Sequence, residues 1–222
     1  MYKSIKDDIY ARISRGGRGR FVFLQDMEKV ADYESVKKAF QRLTNEKKLI
    51  RIEKGIYWYP KVDTELGLGV LYPGIDDIAM AIAKRDDIRV APTVAYAQNA
   101  LGLSTQVPAN VVFYTDGPER RVKVGEGKGI LFLHTSDMSR FAYKSRLMQL
   151  IVTALVDYGE KGIRDSDFET IKPFLTHVTP KQFSHDIKLA PIWLQQKLKK
   201  YDIRKSEPGD SRRRASALAQ GL

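Results

Sequence analysis

The segment VKKAFQRLTNEKKLIRIEKGIYWYP, residues 36–60, decides the fold of the N-terminal part of the chain. Its first half has apolar residues at the i, i+4, i+7 spacing of one buried helix face, namely Val36, Phe40 and Leu43. We expect this helix to run over residues 33–48. The second half alternates on both sides of the turn Glu53-Lys54-Gly55, which predicts a β-hairpin ending at Pro60.

The residues before this segment predict a further helix and a short helical piece. Ser4 can cap a helix over residues 5–14, whose apolar stripe is Ile5, Ile9 and Ile13. A brief extended segment at 21–24 and one or two helical turns at 25–31 follow, and Asp32 can cap the next helix. Helix, short helix, helix and hairpin is the order of a winged helix-turn-helix, whose third helix enters the DNA major groove and whose hairpin is the wing.

This arrangement places polar side chains where duplex DNA would lie, because cations and amides reach phosphates and base edges. The expected contacts are Tyr33, Ser35, Lys37, Lys38, Gln41 and Arg42 on the helix, and Arg51 and Lys54 on the wing. The run RGGRGR at residues 15–20 predicts a turn whose Arg18 and Arg20 also reach phosphates; it also resembles one copy of an RNA-binding RGG box. The alternative is a solvated basic helix beside a hairpin that supports a protein interface.

The composition favours a polyanionic partner. The 222 residues include 38 Lys and Arg against 27 Asp and Glu, a formal net charge of +11. Residues 1–60 hold 14 basic and 8 acidic residues, whereas residues 61–203 hold 19 and 17. The absence of cysteine excludes disulfides and cysteine zinc sites. With only 3 histidines, a His-rich metal centre is hard to build.

Membrane association is not expected from the sequence. The first dozen residues carry charges, so no signal-peptide apolar region is present there. The longest apolar stretch, residues 147–156, is about half of the roughly 20 residues that a spanning helix needs. We therefore expect a soluble, cytoplasmic chain.

The rest of the chain predicts a mixed α+β domain over residues 75–203, after a connector at 61–74 that is rich in glycine and proline. The expected strands are 88–91, 111–114, 121–124 and 130–133, and the expected helices are 76–84, 93–100, 145–157, 166–177 and 179–200, the last interrupted at Pro191. We expect residues 204–222 to form a basic, flexible tail. The fold class is thus α+β, an N-terminal winged helix-turn-helix followed by a mixed domain that ends in helices.

Two segments carry a family resemblance. AYAQNALGLSTQVP at residues 95–108, followed by a strand and TDG at 115–117, resembles the second domain of AbiEi-type antitoxins of abortive-infection, or type IV, toxin–antitoxin systems. Residues 36–60 are similar to the winged helix of the same family, so the resemblance covers roughly residues 3–200. The LGLSTQVP part also has a purely structural interpretation, with Gly102 ending a helix in the left-handed conformation and Ser104 and Thr105 bonding the turn before Pro108.

The resemblance implies a bacterial transcriptional regulator that represses its own operon by binding repeats in the promoter. It also implies an antitoxin that opposes a nucleotidyltransferase-like toxin encoded beside it, without requiring a stable complex. In the family the second domain is associated with neutralisation. The polar residues expected to be exposed on that domain, and to contact a partner or DNA, are Gln106, Arg120, Arg121 and Lys123.

Catalytic alternatives are weaker in the sequence. Asp116, Glu126 and Lys128 have the D…E-x-K spacing of metal-dependent nucleases, but such acids usually lie on adjacent strands, whereas Glu126 and Lys128 lie in a glycine-rich turn. The same turn does not have the GxxxxGK[ST] pattern and the following helix of a P-loop. Asp165-Ser166-Asp167 resembles the paired aspartates of nucleotidyltransferases, although Asp165 or Ser166 capping the following helix explains it. We expect no catalytic residues, metal or cofactor. A nuclease with a DNA-targeting winged helix and a non-DNA-binding adaptor remain the alternatives.

Overall fold

A computed structural model describes residues 4–106, 110–124 and 128–201. Over these residues the chain is a mixed α+β protein whose last elements are helices, as the sequence predicts. Two compact units are formed. The first comprises the described residues of Met1–Val90, Ala109–Val111 and Thr115–His134, and the second those of Ala91–Pro108, Val112–Tyr114 and Thr135–Leu222. This division differs from the expected boundaries at residues 60 and 75, and the expected tail at 204–222 lies outside the described residues.

The first unit begins with two helices and a three-stranded sheet. Its elements are α1 (Ile5–Arg15), β1 (Arg20–Phe23), a 3-10 turn (Gln25–Met27), α2 (Tyr33–Asn45), β2 (Ile50–Glu53) and β3 (Ile56–Tyr59). The strands are antiparallel in the order β1-β3-β2. Helix α2 ends three residues earlier than expected, because Lys47 adopts a left-handed conformation with φ 57°.

Both faces of this sheet are covered, which explains why all four residues of β3 are buried. Tyr57 and Tyr59 belong to the core formed with α1 and α2. On the opposite face Trp58 packs edge-on against its cross-strand neighbour Phe21, with ring centroids 4.9 Å apart, and the helix Ile75–Asp86 contacts β3. Trp58 is accordingly buried.

A second hairpin follows where a connector was expected. Strands β4 (Lys61–Asp63) and β5 (Gly69–Leu71) pair antiparallel, with Val62 opposite Val70. The Trp58 indole Nε1 donates to the Leu71 carbonyl at 2.9 Å and attaches this hairpin to the sheet. Helix α3 (Ile75–Asp86) comes next along the chain.

A four-stranded sheet contains the strands of the middle of the chain. They are β6 (Val90–Pro92), β7 (Asn110–Thr115), β8 (Arg120–Val124) and β9 (Lys128–His134), in the order β6-β7-β9-β8. Strands β8 and β9 are antiparallel, with Val122 opposite Ile130. Both residues are buried, so Arg121 and Lys123, the two neighbours of Val122, project from the opposite face of β8.

The second unit is mainly helical. Its helices are α4 (Val94–Ala100), α5 (Arg146–Gly162, broken at Gly159), α6 (Asp165–Leu175), α7 (Pro180–Asp186) and α8 (Ile192–Lys200), with 3-10 turns at Met138–Phe141 and Ile187–Leu189. They share one apolar core. Pro191 caps α8 and produces the expected interruption. No helix within the part of the chain that the structure describes has the length and apolarity to cross a membrane.

Candidate nucleic-acid interface

Helix α2 is fixed by its cap and its buried face. The carboxylate of Asp32 accepts the backbone N–H of Ser35 at 3.0 Å, and hydrogen bonding from Ser35 lowers the pKa of Asp32. An ionised cap at this end also favours the helix dipole. The apolar residues on the other side are buried in the core: Val36, Ala39, Phe40 and Leu43.

The polar face of α2 points away from that core. The exposed residues among the expected DNA contacts on this helix are Tyr33, Lys37, Lys38, Gln41 and Arg42, whereas Ser35 is half-buried. Lys37 Nζ lies 3.4 Å from Glu34 Oε1, and such an exposed pair contributes little. Across the described residues the side chains of Lys38, Gln41 and Arg42 have no hydrogen-bond or ion-pair partner, so they are available to a ligand.

A groove of about 580 Å³ separates α2 from the β2–β3 hairpin. The residues that line it are Leu24, Tyr33, Lys37, Gln41, Thr44, Asn45, Arg51, Lys54, Gly55 and Tyr57. Three are cations and none is a carboxylate, as far as the described residues show. The groove therefore brings Lys37 and Gln41 of the helix together with Arg51 and Lys54 of the hairpin, which the sequence predicted only separately.

Tyr57 adds a polar atom to this groove. Its ring packs against Phe40 with centroids 4.8 Å apart, which fixes its position. Burial raises the pKa of the Tyr57 hydroxyl, and the positive charges of Arg51 and Lys37 oppose that rise. The hydroxyl is thus protonated at neutral pH and can donate to an anionic acceptor.

A second groove, of about 400 Å³, lies on the other side of strand β2, between it and β8. Arg51 and Lys54 line both grooves, and Arg121 and Lys123 line the second. Arg121 and Lys123 are exposed on the same face of β8, because they are two residues apart around the buried Val122. We call Lys37, Arg51, Lys54, Arg121 and Lys123 the basic strip.

An ion network holds the tip of the β2–β3 hairpin. The guanidinium of Arg85, on α3, donates to the carboxylate of Glu53 and to the carbonyl of Lys54. Asp86 accepts from Arg85 Nε at 2.7 Å and also from the guanidinium of Arg120 on β8. Burial opposes ionisation of Asp86, but the two arginines outweigh it and lower its pKa. The hairpin tip, α3 and β8 are thereby fixed to one another.

This network corrects the expectation for Arg120. Its side chain is half-buried and paired with Asp86, and its guanidinium lies 5.6 Å from the centre of the Phe132 ring. It positions β8 rather than presenting a free cation. Arg85 and Asp86 were missed by sequence analysis, because nothing local marks a partner 32 or 34 positions away.

Arg18 and Arg20 have structural partners. Arg20 Nη2 donates to the Ile13 carbonyl at 2.8 Å, at the C-terminal end of α1, where a cation complements the helix dipole. Arg18 Nη1 donates to the Pro60 carbonyl at 3.1 Å, and its guanidinium lies 4.8 Å from the Tyr59 ring centre. Both arginines lie at the end of β1 remote from the hairpin tip, because Arg20 pairs with Tyr59 and Phe23 with Ile56.

Gln106 and the other three polar residues expected on the second domain belong to different units. Gln106 belongs to the second unit, whereas Arg120, Arg121 and Lys123 belong to the first. Its backbone is held by Asn99 Nδ2, 2.9 Å from the Gln106 carbonyl, and by the hydroxyl of Ser104, which accepts its N–H at 3.2 Å. Gly102 has φ +71°, as the structural interpretation of this segment requires; Pro108 lies outside the described residues.

The residues singled out for catalysis have other roles where the structure describes them. Asp116 accepts both the backbone N–H and Nε of Arg89 at 2.7 Å; burial opposes its ionisation, but these bonds lower its pKa. Asp167, not Asp165 or Ser166, completes the cap of α6, because it accepts the backbone N–H of Arg164 at 2.9 Å. Glu126 lies outside the described residues, among which no cluster of three or more potential metal ligands occurs.

The chain was compared with curated proteins and with models of protein families. No curated protein matches the chain. A family model described as a family of unknown function, DUF6088, matches residues 8–183, a span that includes α2, both hairpins, the basic strip and most of the helical unit. The chain therefore belongs to the family of unknown function DUF6088.

Proposed function

We propose that Ile5–Tyr59 is a winged helix that binds duplex DNA, with α2 in the major groove and the β2–β3 hairpin as the wing. The observation that carries this proposal is the groove between them, which Lys37, Arg51 and Lys54 line without any carboxylate among the described lining residues. A helix is narrow enough for the major groove, and cations beside it attract the phosphate backbone.

The side chains divide into two kinds of contact. Gln41 can pair with base edges, and exposed Tyr33 in the first turn of α2 can donate, accept or stack. Lys37, Arg51 and Lys54 are suited to phosphates, which fix the position of the helix without reading sequence. Lys38 and Arg42, exposed on the same helix but outside the groove lining, extend the positive surface.

Strand β8 lengthens this surface. Arg121 and Lys123 continue the basic strip across the groove beside β2. The ion network through Arg85 and Asp86 holds β8 next to the hairpin, so both can meet the same duplex as one rigid surface. The proposed footprint thus exceeds that of the first sixty residues.

The biological role that we propose is that of a non-enzymatic regulator, without cofactor, that acts in the bacterial cytoplasm. It would bind repeats in the promoter of its own operon and counteract a nucleotidyltransferase-like toxin, with no stable complex required. This part of the proposal rests on the resemblance of residues 95–108 and 36–60 to AbiEi-type antitoxins. The assignment of DNA binding rests on the groove and does not depend on the toxin.

The DNA proposal is tested with the full-length chain and a labelled duplex from the region upstream of its own gene. Lys37→Gln combined with Gln41→Ala should weaken binding at least tenfold, because one phosphate contact and one base contact of about 1–3 kcal/mol are lost. The control is Lys181→Gln with Lys199→Gln, which removes charge from exposed positions of the second unit. Fluorescence anisotropy at several salt concentrations measures both.

Each contrary outcome identifies a different function. Equal affinity of the two variants would remove α2 from the interface, and the absence of any salt-sensitive duplex binding would favour the protein adaptor. Cleavage of the duplex that depends on a divalent metal would favour the nuclease.

The antitoxin role is tested separately, in cells that carry the neighbouring toxin gene. Arg121→Gln with Lys123→Gln, and Lys37→Ala with Arg42→Ala, should both lose promoter repression, because both pairs lie on the proposed DNA surface. Both should still rescue growth when expressed at equal level from a foreign promoter. Loss of rescue by both variants would show that neutralisation cannot be separated from DNA binding.

A further inference from the structure

The β4–β5 hairpin carries an exposed apolar surface. Of the large hydrophobic side chains that are exposed among the described residues, five fall within one stretch of eleven positions: Val62, Leu66, Leu68, Val70 and Tyr72. Leu66 is 78% exposed and Tyr72 is 69% exposed. Together the five expose on the order of 500 Å² of apolar surface, a patch size that marks interaction sites in monomeric proteins.

The geometry gathers these side chains on one small element. Val62 and Val70 are directly opposite in the antiparallel register, so they project from the same face of the hairpin. Tyr72, two residues beyond Val70, continues that face, and Leu66 and Leu68 lie at the connecting turn. The hairpin is attached to the unit through the hydrogen bond from the Trp58 indole to the Leu71 backbone carbonyl. A two-stranded hairpin is marginal by itself, and a covering surface would stabilise it.

We propose that this face binds the same face of a second copy of the chain. A two-fold contact uses one surface twice, so that surface must be self-complementary. The hairpin meets this condition, because its exposed face is apolar and its margin carries both signs of charge, on Lys61 and Glu65. Lys61 of one copy can therefore pair with Glu65 of the other.

Charge also selects this site for self-association. Residues 61–74 contain one lysine and two carboxylates, whereas the whole chain has a net charge of +11. Two copies that met through their basic strips would repel each other. Contact through the hairpins avoids bringing the basic strips together and leaves them available for the DNA that the proposed function requires, although the dimer itself does not depend on that function.

The area that two hairpin faces can bury determines how strong the dimer should be. Two such faces bury about 1,000 Å² in total, the lower limit for a specific protein–protein interface, so the dimer should be weak and reversible. Sedimentation velocity of the full-length chain without DNA, from about 1 to 200 µM, should show a monomer that becomes a dimer as concentration rises. Leu66→Ser with Leu68→Ser should remain monomeric over the whole range.

The control is Ile192→Ser, which removes a side chain 73% exposed elsewhere in the chain and should dimerise like the unmodified protein. Circular dichroism and thermal midpoints check that all variants are folded. A chain that is monomeric throughout, or a hairpin variant that dimerises as well as the control, would overturn the proposal.

A photo-reactive amino acid at position 66, used in living cells, identifies the occupant directly. A cross-linked product with twice the mass of the chain supports the second copy. A product that contains a different protein, or no product, would show that something else, or nothing, covers this face.

Discussion

Two hairpins follow each other in the first unit, separated only by Pro60, and they have opposite surfaces. In β2–β3 every residue of β3 is buried, and the exposed positions on β2 and at its turn carry Arg51 and Lys54. In β4–β5 the paired residues Val62 and Val70 are exposed. The apolar residues of one hairpin form the core, and those of the other face the solvent.

The difference comes from what covers each hairpin. One face of strand β3 packs against α1 and α2, α3 also contacts the strand, and Arg85 fixes the neighbouring turn. Among the described residues, the β4–β5 hairpin has a single side-chain hydrogen bond to that sheet, from Trp58 to the Leu71 carbonyl. The first is therefore part of the cooperative structure and presents charge in fixed positions, whereas the second is a peripheral element suited to a reversible partner.

The largest expected effect tests this contrast through stability. Ile56→Ala, at a fully buried position of β3, should lower the free energy of unfolding by about 2–5 kcal/mol, because it leaves a cavity. Val70→Ala, at a position 40% exposed, should cost less than about 1 kcal/mol. Urea unfolding followed by circular dichroism measures both. Equal losses would mean that the second hairpin is as much a part of the core as the first.

The sequence predicted the first hairpin well for a physical reason. Its strands alternate around a short turn with Gly55, and Val36, Phe40 and Leu43 mark the helix that covers it, so local pattern and burial agree. The second hairpin was predicted as a connector, because its strands are only three residues long and its glycines and prolines resemble a linker. Its apolar side chains gave no signal of burial, since they are not buried.

The candidate site was predicted in its parts but not in its extent. The exposure of Lys37 and Gln41 follows from the helical period around Phe40. The adjacency of β8 to β2 depends on contact between strands of two different sheets, far apart in the sequence, for which periodicity gives no information. The sequence therefore assigned Arg121 and Lys123 to a separate domain surface, whereas the structure brings them beside Arg51.

The next largest effect concerns the salt dependence of DNA binding, compared between Arg51 on the first hairpin and Lys61 on the second. With five cations in the basic strip, the logarithm of affinity should fall with the logarithm of salt at a slope of about −4 to −5. Arg51→Gln should reduce the magnitude of that slope by about 1 and weaken binding about tenfold at physiological salt. Lys61→Gln, an equal charge change on β4, should leave the slope unchanged. The same loss in both variants would mean that only net charge matters and that the strip has no defined geometry.

A smaller effect concerns the ion network through Asp86 that holds the tip of the β2–β3 hairpin. Asp86→Asn should cost about 1 kcal/mol at neutral pH, because three charge-assisted hydrogen bonds, two from Arg85 and one from Arg120, are weakened. The folded-state pKa of Asp86 lies below 3.8, so its contribution is present above pH 3.8 and is lost as pH falls through the lower folded pKa.

The free-energy difference between the unmodified chain and Asp86→Asn should accordingly narrow below pH 3.8, measured by urea unfolding at neutral pH and in successive acidic steps. The neighbouring Asp87→Asn is the control, because Asp87 is exposed and asparagine tolerates its left-handed φ of 52°. A difference for Asp86→Asn that is constant with pH would show that its carboxylate charge does not hold the hairpin tip.

The smallest effect compares the two turns. Gly55 and Gly67 have φ of +77° and +70°, and an alanine methyl would meet Arg85 Cδ at 3.6 Å in the first turn and no described atom within 4 Å in the second. Neither site is crowded, so both alanine variants carry the same backbone strain of about 1 kcal/mol.

In Gly55→Ala this strain should lower the free energy of global unfolding by its full amount, because the turn is bound through the Lys54 carbonyl to Arg85 and cannot open alone. For Gly67→Ala the hairpin can open locally without unfolding the unit, so the urea midpoint should barely change. Equal shifts in the two midpoints would show that β4–β5 unfolds together with β2–β3, and its apolar face would then belong to the cooperative structure rather than to a peripheral element.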